Sequence, residues 1–425
     1  MSTRVIEIRI WNEQVGAVAP DQNLGCCAFE YAPSWLRSRI ELAPRTMPVA
    51  GYRQPYAFPN LPELTYRGLP GMLSDALPDH FGNALIDAWM QTTGRTKESI
   101  TALDRLAYMG RRGMGALEFR PVLGTRKDSV APIEMAQLVE SARKAVHGDL
   151  STDHQAMAAL NQIISVGTSA GGARAKAVIA WNPATNELRS GQFEVKPGFE
   201  HWLLKFDGMG ADKGLGRGGG YGKTEYAYYR MAQAAGIQMA PSRLLHENGR
   251  AHFMTRRFDR AGNEKHHLQT LCAMDHLDFN QKATHAYAQA FMVVAGLKLG
   301  QDATDELFRR MAFNVMAKNC DDHTKNLAFM LKRGGSWALT PAYDVTFAHN
   351  PTGDWTYQHQ MSVNGKFGDI SKKDLLIEAE RFGVRRPEVI LGDVAAAIES
   401  FEEFARESTL PTKRRTEIQT SFRIL

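Results

Sequence analysis

The sequence predicts an α+β protein of cooperating lobes with its site between two of them, on three observations. Strand-like alternation opens the chain, helix and strand take turns through the middle, and the last block is mainly helical around one hairpin. At roughly 150 residues per domain, 425 residues give two or three lobes and volume for a large core. With 44% hydrophobic and 23% charged residues the composition is globular, which excludes disordered and fibrous classes. No repeat of fixed period is present, so solenoids and propellers are disfavoured.

Charge and cysteine usage exclude further classes. Lys+Arg 51 against Asp+Glu 46 leaves +5, too dilute for a nucleic-acid coat or a polybasic membrane anchor. Cys26, Cys27, Cys272 and Cys320 show no C-x-x-C spacing, so neither a disulfide framework nor a thiolate zinc site is expected. The N-terminus runs at once into alternating sequence without the order of a secretory signal. The longest apolar run, 290–297, falls far short of the about 18 residues a spanning helix needs. A reducing cytoplasm is the expected location, with no membrane partner.

The elements follow in order. Residues 4–30 alternate as strands, and 40–66, rich in Pro, Tyr and Arg without a sustained period, read as loop and strand. Over 72–90, Leu73, Leu77, Phe81, Leu85 and Trp89 recur every four residues, which predicts a helix. Arg111-Arg112-Gly113-Met114-Gly115 is a glycine-bearing turn into the apolar run Ala116-Leu117-Glu118-Phe119, and 124–132 is the expected linker. These breaks divide the chain into 1–125, 133–258 and 259–425.

In the middle block, Ile163-Ile164-Ser165-Val166 and Ala177-Val178-Ile179-Ala180-Trp181 read as strands around a loop of small residues, 167–176. Glycines there would let backbone N–H groups approach phosphate oxygens, although such a loop is as readily a plain turn. The strand His201-Trp202-Leu203-Leu204-Lys205-Phe206 puts Trp202, Leu204 and Phe206 on one face and Lys205 on the other. A helix is expected from near Thr224, with Ala227, Met231, Ala234 and Ala235 on its apolar stripe and Gly236 as its stop. Glu225 would stand in its first turn, either answering the helix dipole or pairing with Lys205 to fix the ammonium for phosphate contact. Residues 208–222 carry eight glycines in fifteen and end Gly222-Lys223-Thr224, yet Arg217 stands where a P-loop needs glycine. That segment reads as a basic flap.

The last block carries the most informative stretch. Leu307, Met311 and Val315 repeat at helical spacing and deliver the chain to the polar loop Asn319-Cys320-Asp321-Asp322-His323-Thr324-Lys325-Asn326. Leu327-Ala328-Phe329-Met330-Leu331 and Ser336-Trp337-Ala338-Leu339-Thr340 then form strands around Gly334-Gly335, a hairpin signal. Pairing about those glycines returns Tyr343-Asp344 to the end where Asn326 stands. Asp321 to Asn326 is the D-x-x-x-x-N spacing of phosphoryl-transfer loops, in which one carboxylate orients a hydroxyl while an amide and a second carboxylate hold Mg²⁺. A transition-metal hydrolase would need H-E-x-x-H, and a calcium loop a D-x-[DN]-x-[DN]-G run; both are missing.

These residues resemble the HipA family of bacterial serine/threonine kinases, the toxins of type II toxin–antitoxin systems. The likeness runs from Leu77-Pro78-Asp79-His80-Phe81-Gly82 and 106–117 through the glycine loop, Leu204-Lys205-Phe206, Arg257-Phe258-Asp259-Arg260 and Asn319 onward, to Pro341-Ala342-Tyr343-Asp344-Val345. The resemblance implies a two-lobed protein-kinase-like fold with an extra N-terminal subdomain and a mainly helical C-lobe. ATP would meet Gly171, Gly172, Ala173, Arg174, Lys176 and Lys205 through its phosphates, and the main chain of Arg256, Arg257 and Phe258 through its adenine. Asp321 would be the catalytic base, with Lys205 beside it in the catalytic set. His323, Thr324, Lys325, Asn326, Tyr343 and Asp344 would contact nucleotide, and Asn326 with Asp344 would bind Mg²⁺. Ser165 matches the family's autophosphorylated loop serine, and Ser169 is a second candidate. An acidic residue common before Arg-Phe-Asp-Arg in that family is Arg256 here.

Three functions follow from the resemblance. The first is a kinase toxin acting on a translation component such as an aminoacyl-tRNA synthetase, neutralised by a HipB-like helix-turn-helix antitoxin through which alone it meets DNA. The second is a corepressor that uses a kinase scaffold with little activity. The third is a small-molecule or lipid kinase, because such a site does not specify its acceptor.

Overall fold

Alternation in the opening residues becomes a sheet. Ile6, Ile8 and Ile10 of β1 (Ile6–Ile10) are wholly buried, and β1 pairs antiparallel with β2 (Glu13–Asp21), which pairs with β3 (Cys26–Tyr31). A short β4 (Glu118–Arg120) closes the other edge, giving the order β3-β2-β1-β4. The computed structural model describes residues 4–78, 80–123, 133–147, 175–208 and 220–425. The expected linker, the strand 163–166, Ser165, Ser169, Gly171, Gly172, Ala173, Arg174 and most of the glycine segment (209–219) lie outside the described residues.

Two compact units interleave along the chain. The first takes Met1–Met209, Arg256–His276 and Met330–Ser336, and the second Gly210–Thr255, Leu277–Phe329 and Trp337–Leu425.

Within the first unit the helix expected over 72–90 is broken. A single turn, Gly71–Ser74, is followed by a separate helix, His80–Thr92. Pro78 stands in the break: proline lacks the N–H that a continuous helix needs and disfavours helical geometry at the residue before it. Leu73, Leu77 and Leu85 are nevertheless buried, so the apolar period survives although the helix does not. Residues 40–66 hold no strand, only an isolated bridge from Tyr56 to Phe29 and the helical turn Glu63–Tyr66.

The expected middle strands that fall within the described residues form. β5 (Lys176–Trp181) is buried throughout and pairs antiparallel with β6 (Leu188–Ser190) and β7 (Glu200–Lys205). In that register Lys176 lies opposite Lys205, so both side chains share one face of the sheet.

A buried ionic node joins two segments of this unit that the sequence left separate. Arg257 grips Asp259 with two parallel bonds, Nε to Oδ1 at 2.9 Å and Nη2 to Oδ2 at 2.7 Å, while Arg260 Nη1 donates to the same carboxylate at 2.7 Å. The node continues into the 111–115 turn. Gly115 N–H donates to Asp259 at 2.7 Å, and Arg260 donates to Gly115 O at 2.9 Å and Gly113 O at 3.1 Å. Burial alone would raise the Asp259 carboxyl, but Arg257 and Arg260 outweigh it and hold the group well below the usual carboxylate range. Gly115 adopts φ +74°, a left-handed conformation that favours glycine, so the turn presents its backbone to the node without strain.

The second unit is mainly helical. Its first helix, Tyr221–Ala234, begins three residues before the expected Thr224, so Glu225 falls beyond the first turn. Ala227, Met231 and Ala235 are buried as expected, whereas Ala234 faces solvent; Ala232 and Tyr228 complete the apolar stripe. Tyr228 anchors the core, its hydroxyl donating to Ala317 O at 2.6 Å and its ring meeting Phe313, Phe401 and Phe422 edge-on. β8 (Ser242–Glu247) and β9 (Arg250–Arg256) make a hairpin whose two-residue turn, Asn248-Gly249, has the paired positive φ values such turns require. Helices Tyr287–Gly296, Gln301–Met316, Lys372–Phe382 and Pro387–Glu399 follow. Among the described residues no helix is long and apolar enough to cross a membrane.

Gly222, which closed the P-loop-like motif in the sequence, has a packing reason. A Cβ there would lie 2.1 Å from the carbonyl oxygen of Ala251, so the helix and β9 touch backbone to backbone. Gly222→Ala therefore costs about 1–3 kcal/mol through overpacking, measured by denaturant unfolding; an unchanged midpoint would refute the close approach.

Candidate functional site

The polar loop is delivered as its sequence promised. Leu307, Met311 and Val315 are buried on the helix Gln301–Met316, and Ala317 and Cys320 continue that burial into the loop. Cys320 N–H donates to Ala348 O at 3.0 Å and Ala348 N–H to Lys318 O at 3.1 Å, pinning the loop to the segment that follows the hairpin.

The next residues turn tightly. His323 caps a 3-10 turn, Thr324–Asn326, its Nδ1 accepting from Lys325 N–H at 3.2 Å. An acceptor Nδ1 leaves the proton on Nε2, and that nitrogen lies 3.8 Å from Asp321 Oδ1. Thr324 is buried and donates to Leu277 O at 2.7 Å. The Lys325 ammonium lies 4.7 Å from the centroid of the Phe279 ring. Asn326 Nδ2 donates to the main-chain oxygen of Asp321 at 2.7 Å, so the five-residue spacing is a bonded one.

The hairpin closes as expected. Its strands are Ala328–Leu331 and Trp337–Leu339, with Gly334 at φ +71° in the turn and Thr340 N–H bonded to Ala328 O at 3.1 Å. Tyr343 comes back to the polar loop and donates its hydroxyl to Lys325 O at 2.6 Å. Asp344 follows at φ +54°, a left-handed conformation that aspartate tolerates better than most side chains. Its charge reaches Asp321.

Asp321 keeps 41% of its side chain exposed, and Trp355 Nε1 donates to its Oδ1 at 2.9 Å. Crowding by the surrounding protein raises its carboxyl above the usual range, His323 and Trp355 oppose the shift, and the neighbouring Asp344 and Asp322 add to it. Trp355 carries no local signal that points to this contact and arrives from 34 positions away. Trp355→Phe removes a bond to an ionisable acceptor worth about 1.5–3 kcal/mol. If Asp321 acts as a base, turnover falls roughly ten- to hundredfold at unchanged stability; full turnover would show that the indole does not hold the carboxylate.

Asp322 has a different setting. It is buried and accepts three bonds: from Tyr287 Oη at 2.8 Å, from Gln360 N–H at 2.8 Å, and from His359 Nδ1 at 2.9 Å. Burial alone would depress the His359 imidazolium, but Asp322 against one nitrogen and Cys320 against the other push it up to about 10. A raised histidine stabilises the fold fully below its unfolded value of about 6.5, and that contribution is lost as pH rises toward 10. The unfolding free energy of the protein minus that of His359→Gln should therefore shrink between pH 6.5 and 10, and a difference flat in pH would exclude the charged pair.

In the first unit, Lys205 ends β7 half-buried and Lys176 begins β5 at 3% exposure. Arg256 ends β9 exposed and pairs with Glu200 at 3.4 Å. The Arg257 side chain is committed to Asp259, and its amide donates to His201 O at 2.9 Å. Phe258 is half-buried beside it, and Glu225 is buried on its helix in the second unit. Among the described residues no cluster of three or more His, Cys, Asp or Glu side chains forms a ready metal site, so a cation would rest on mixed amide and carboxylate oxygens.

Comparison with known proteins places these features. No curated protein matches the chain. The solved HipA of Shewanella oneidensis MR-1, determined with HipB and operator DNA, superposes with a TM-score of 0.65 at 16% identity, over 98% of this chain and 94% of that one. A slighter likeness, TM-score 0.34 at 11% identity, relates 52% of this chain to 88% of the Helicobacter pylori proinflammatory kinase CtkA. The family model of the HipA N-terminal domain matches residues 6–120, which hold the first sheet, and that of the HipA-like C-terminal domain matches 168–402, which hold Lys176, Lys205, the Asp321 loop and Asp344. With more than half of its length inside the C-terminal match alone, and an α+β fold shared with a solved member, the chain belongs to the HipA family.

Proposed function

We propose that this protein is a Mg²⁺- and ATP-dependent serine/threonine protein kinase, the cytoplasmic toxin of a toxin–antitoxin pair. The observation that carries the reading is the Asp321 loop. It presents an accessible carboxyl held by an indole N–H, an amide bonded to that residue's own carbonyl five positions on, and a second carboxylate returned by the hairpin.

Trp355 occupies Asp321 Oδ1, which leaves the other oxygen to accept the proton of an attacking serine or threonine hydroxyl. The raised carboxyl suits a base better than an ordinary aspartate would. Because Asn326 commits its nitrogen to Asp321, its carboxamide oxygen is the end offered to a cation, and with Asp344 it makes the hard oxygen donor set that Mg²⁺ prefers. Bound there, Mg²⁺ would neutralise phosphate charge. Lys176 and Lys205, opposite one another on one sheet face, form a dicationic patch suited to a polyphosphate. Gly171, Gly172, Ala173 and Arg174 would extend it, and the main chain of Arg256 and Phe258 would receive the adenine. His323, Thr324, Lys325 and Tyr343 would line the nucleotide, their positions fixed by the bonds described above. Ser165 and Ser169 are the autophosphorylation candidates.

Because a family member is solved with HipB and operator DNA, the proposed partner is a HipB-like antitoxin, with DNA contact through it. The proposed substrate is a translation component such as an aminoacyl-tRNA synthetase. Incubation with γ-labelled ATP, Mg²⁺ and a cell lysate should label a discrete acceptor protein and a serine of the kinase's own glycine loop, with both signals lost on chelation. Absence of ATP binding by calorimetry, with no label transferred, would leave only a scaffold and overturn the proposal. Label appearing solely in a lipid or metabolite fraction would replace protein by small-molecule acceptors.

A further inference from the structure

Nothing in the proposed kinase chemistry uses Cys320, yet its surroundings are built. The residue is 1% exposed, and its sulfur lies 3.9 Å from His359 Nε2 and 3.8 Å from His349 Nδ1. His359 is held from its other nitrogen by Asp322 at 2.9 Å, and Asp322 by Tyr287 and the Gln360 amide. Thiol, imidazole and carboxylate thus stand in the order that activates a nucleophile. Nδ1 donates to the Asp322 carboxylate, and Nε2 faces the sulfur, accepting its S–H as a neutral imidazole or donating to the thiolate as an imidazolium once the proton has moved. His349 Nδ1 is also bonded to Thr356 O at 3.2 Å, which keeps its ring beside the sulfur.

The thiol is not sealed in. Cys320 and His359 form part of the wall of a cavity of about 30 Å³, together with Lys318, Tyr357, Phe367 and Arg423. Asp369 belongs to the same wall, is fully exposed and pairs with Arg423 at 3.3 Å, so the cavity reaches the surface. A water needs about 10–15 Å³ of such space. The cavity therefore holds a molecule of two oxygens and excludes a peptide disulfide or an aromatic reagent. Asp369 offsets Arg423 in its wall, and the remaining cation, Lys318, favours an anion, whether the thiolate itself or a departing hydroxide.

We propose that Cys320 is a modification site for small hydroperoxides, with hydrogen peroxide the co-reactant that fits the cavity. The thiolate attacks one peroxide oxygen, an S–O bond forms and the O–O bond breaks. Sulfur loses two electrons and becomes a sulfenic acid. The departing hydroxide takes the Nε2 proton of the His359 imidazolium and leaves as water, so His359 ends neutral and charge balances. The same histidines that build the site lower the thiol against the opposing effect of its burial.

Cys272 supplies an internal standard. It is equally buried, and the Tyr66 hydroxyl lies 3.5 Å from its sulfur. The full-length protein is treated with hydrogen peroxide and then, after denaturation, with a sulfenic-acid trap, and each cysteine peptide is quantified by mass spectrometry. Cys320 should be trapped at least tenfold faster than Cys272, while an aromatic maleimide applied to the native protein should spare both. His359→Gln should slow Cys320 at least tenfold and leave Cys272 unchanged. A merely structural loosening moves both signals the other way, since opening the core speeds every buried thiol. Equal rates for Cys320 and Cys272 in the unaltered protein would overturn the proposal, as would an undiminished Cys320 rate in the folded variant. None of these measurements requires phosphotransfer, so they stand whether or not the kinase assignment does.

Discussion

Replacing Asp321 with Asn should lower phosphotransfer by about 10²–10⁴-fold, the range for loss of a positioned general base, with the fold intact. The substitution keeps an oxygen for the Trp355 indole N–H and changes no main-chain contact of the turn, including the bond from Asn326 to the Asp321 carbonyl. It also removes an unfavourable charge. The Asp321 carboxyl is raised in the folded protein, chiefly by the crowding around it, so ionisation opposes folding above the ordinary aspartate value. Asp321→Asn should therefore be as stable as the parent at neutral pH or slightly more so, and any gain should vanish in acid where both side chains are neutral. Initial rates with labelled ATP and thermal midpoints on the same preparations decide the matter. A folded variant that retains full turnover would remove Asp321 from the chemistry.

Asp259→Ala should be the most destabilising single change in the first unit. It would leave two buried guanidinium groups, Arg257 and Arg260, facing each other without the carboxylate that now receives three of their bonds. Breaking a buried ion pair from one side costs about 3–5 kcal/mol, against a total stability of roughly 5–15 kcal/mol. The sign with pH is fixed by the depressed carboxyl: its contribution is present above the unfolded value near 4 and fades as pH falls toward its folded value. Urea unfolding at pH 7 should show the full loss, and the gap between parent and variant should narrow at pH 3. Replacing all three members with apolar residues of similar volume should recover most of the loss, because the cost lies in the orphaned charges. A neutral single mutant would mean that water reaches the node.

Much of this architecture was legible where the signal was local. The helix Gln301–Met316 follows from a four-residue apolar period, the ribbon after it from two short runs around Gly334-Gly335, and the return of Tyr343 to Lys325 from the geometry of that ribbon. Local rules failed where a competing one prevailed. Pro78 interrupts an otherwise regular period, and the close approach of Gly222 to Ala251 draws the helix start back to Tyr221. Other contacts had no local trace at all. Trp355 reaches Asp321 across 34 residues, His359 reaches Asp322 across 37, and Asp259 reaches the Gly115 amide across 144. Such pairs are fixed by tertiary packing of loops, which leaves no periodicity to detect.

The interleaving of the first unit has a consequence for how the protein is made. The strands of its first sheet are synthesised well before the arginines that clamp the 113–115 turn, which come only after residue 256, and the Met330–Ser336 ribbon tip comes later still. On the ribosome this unit stays incomplete until Ser336 has emerged, so vectorial, one-piece-at-a-time maturation is closed to it. The nascent chain must keep an apolar sheet face waiting, and holdase chaperones should meet it there.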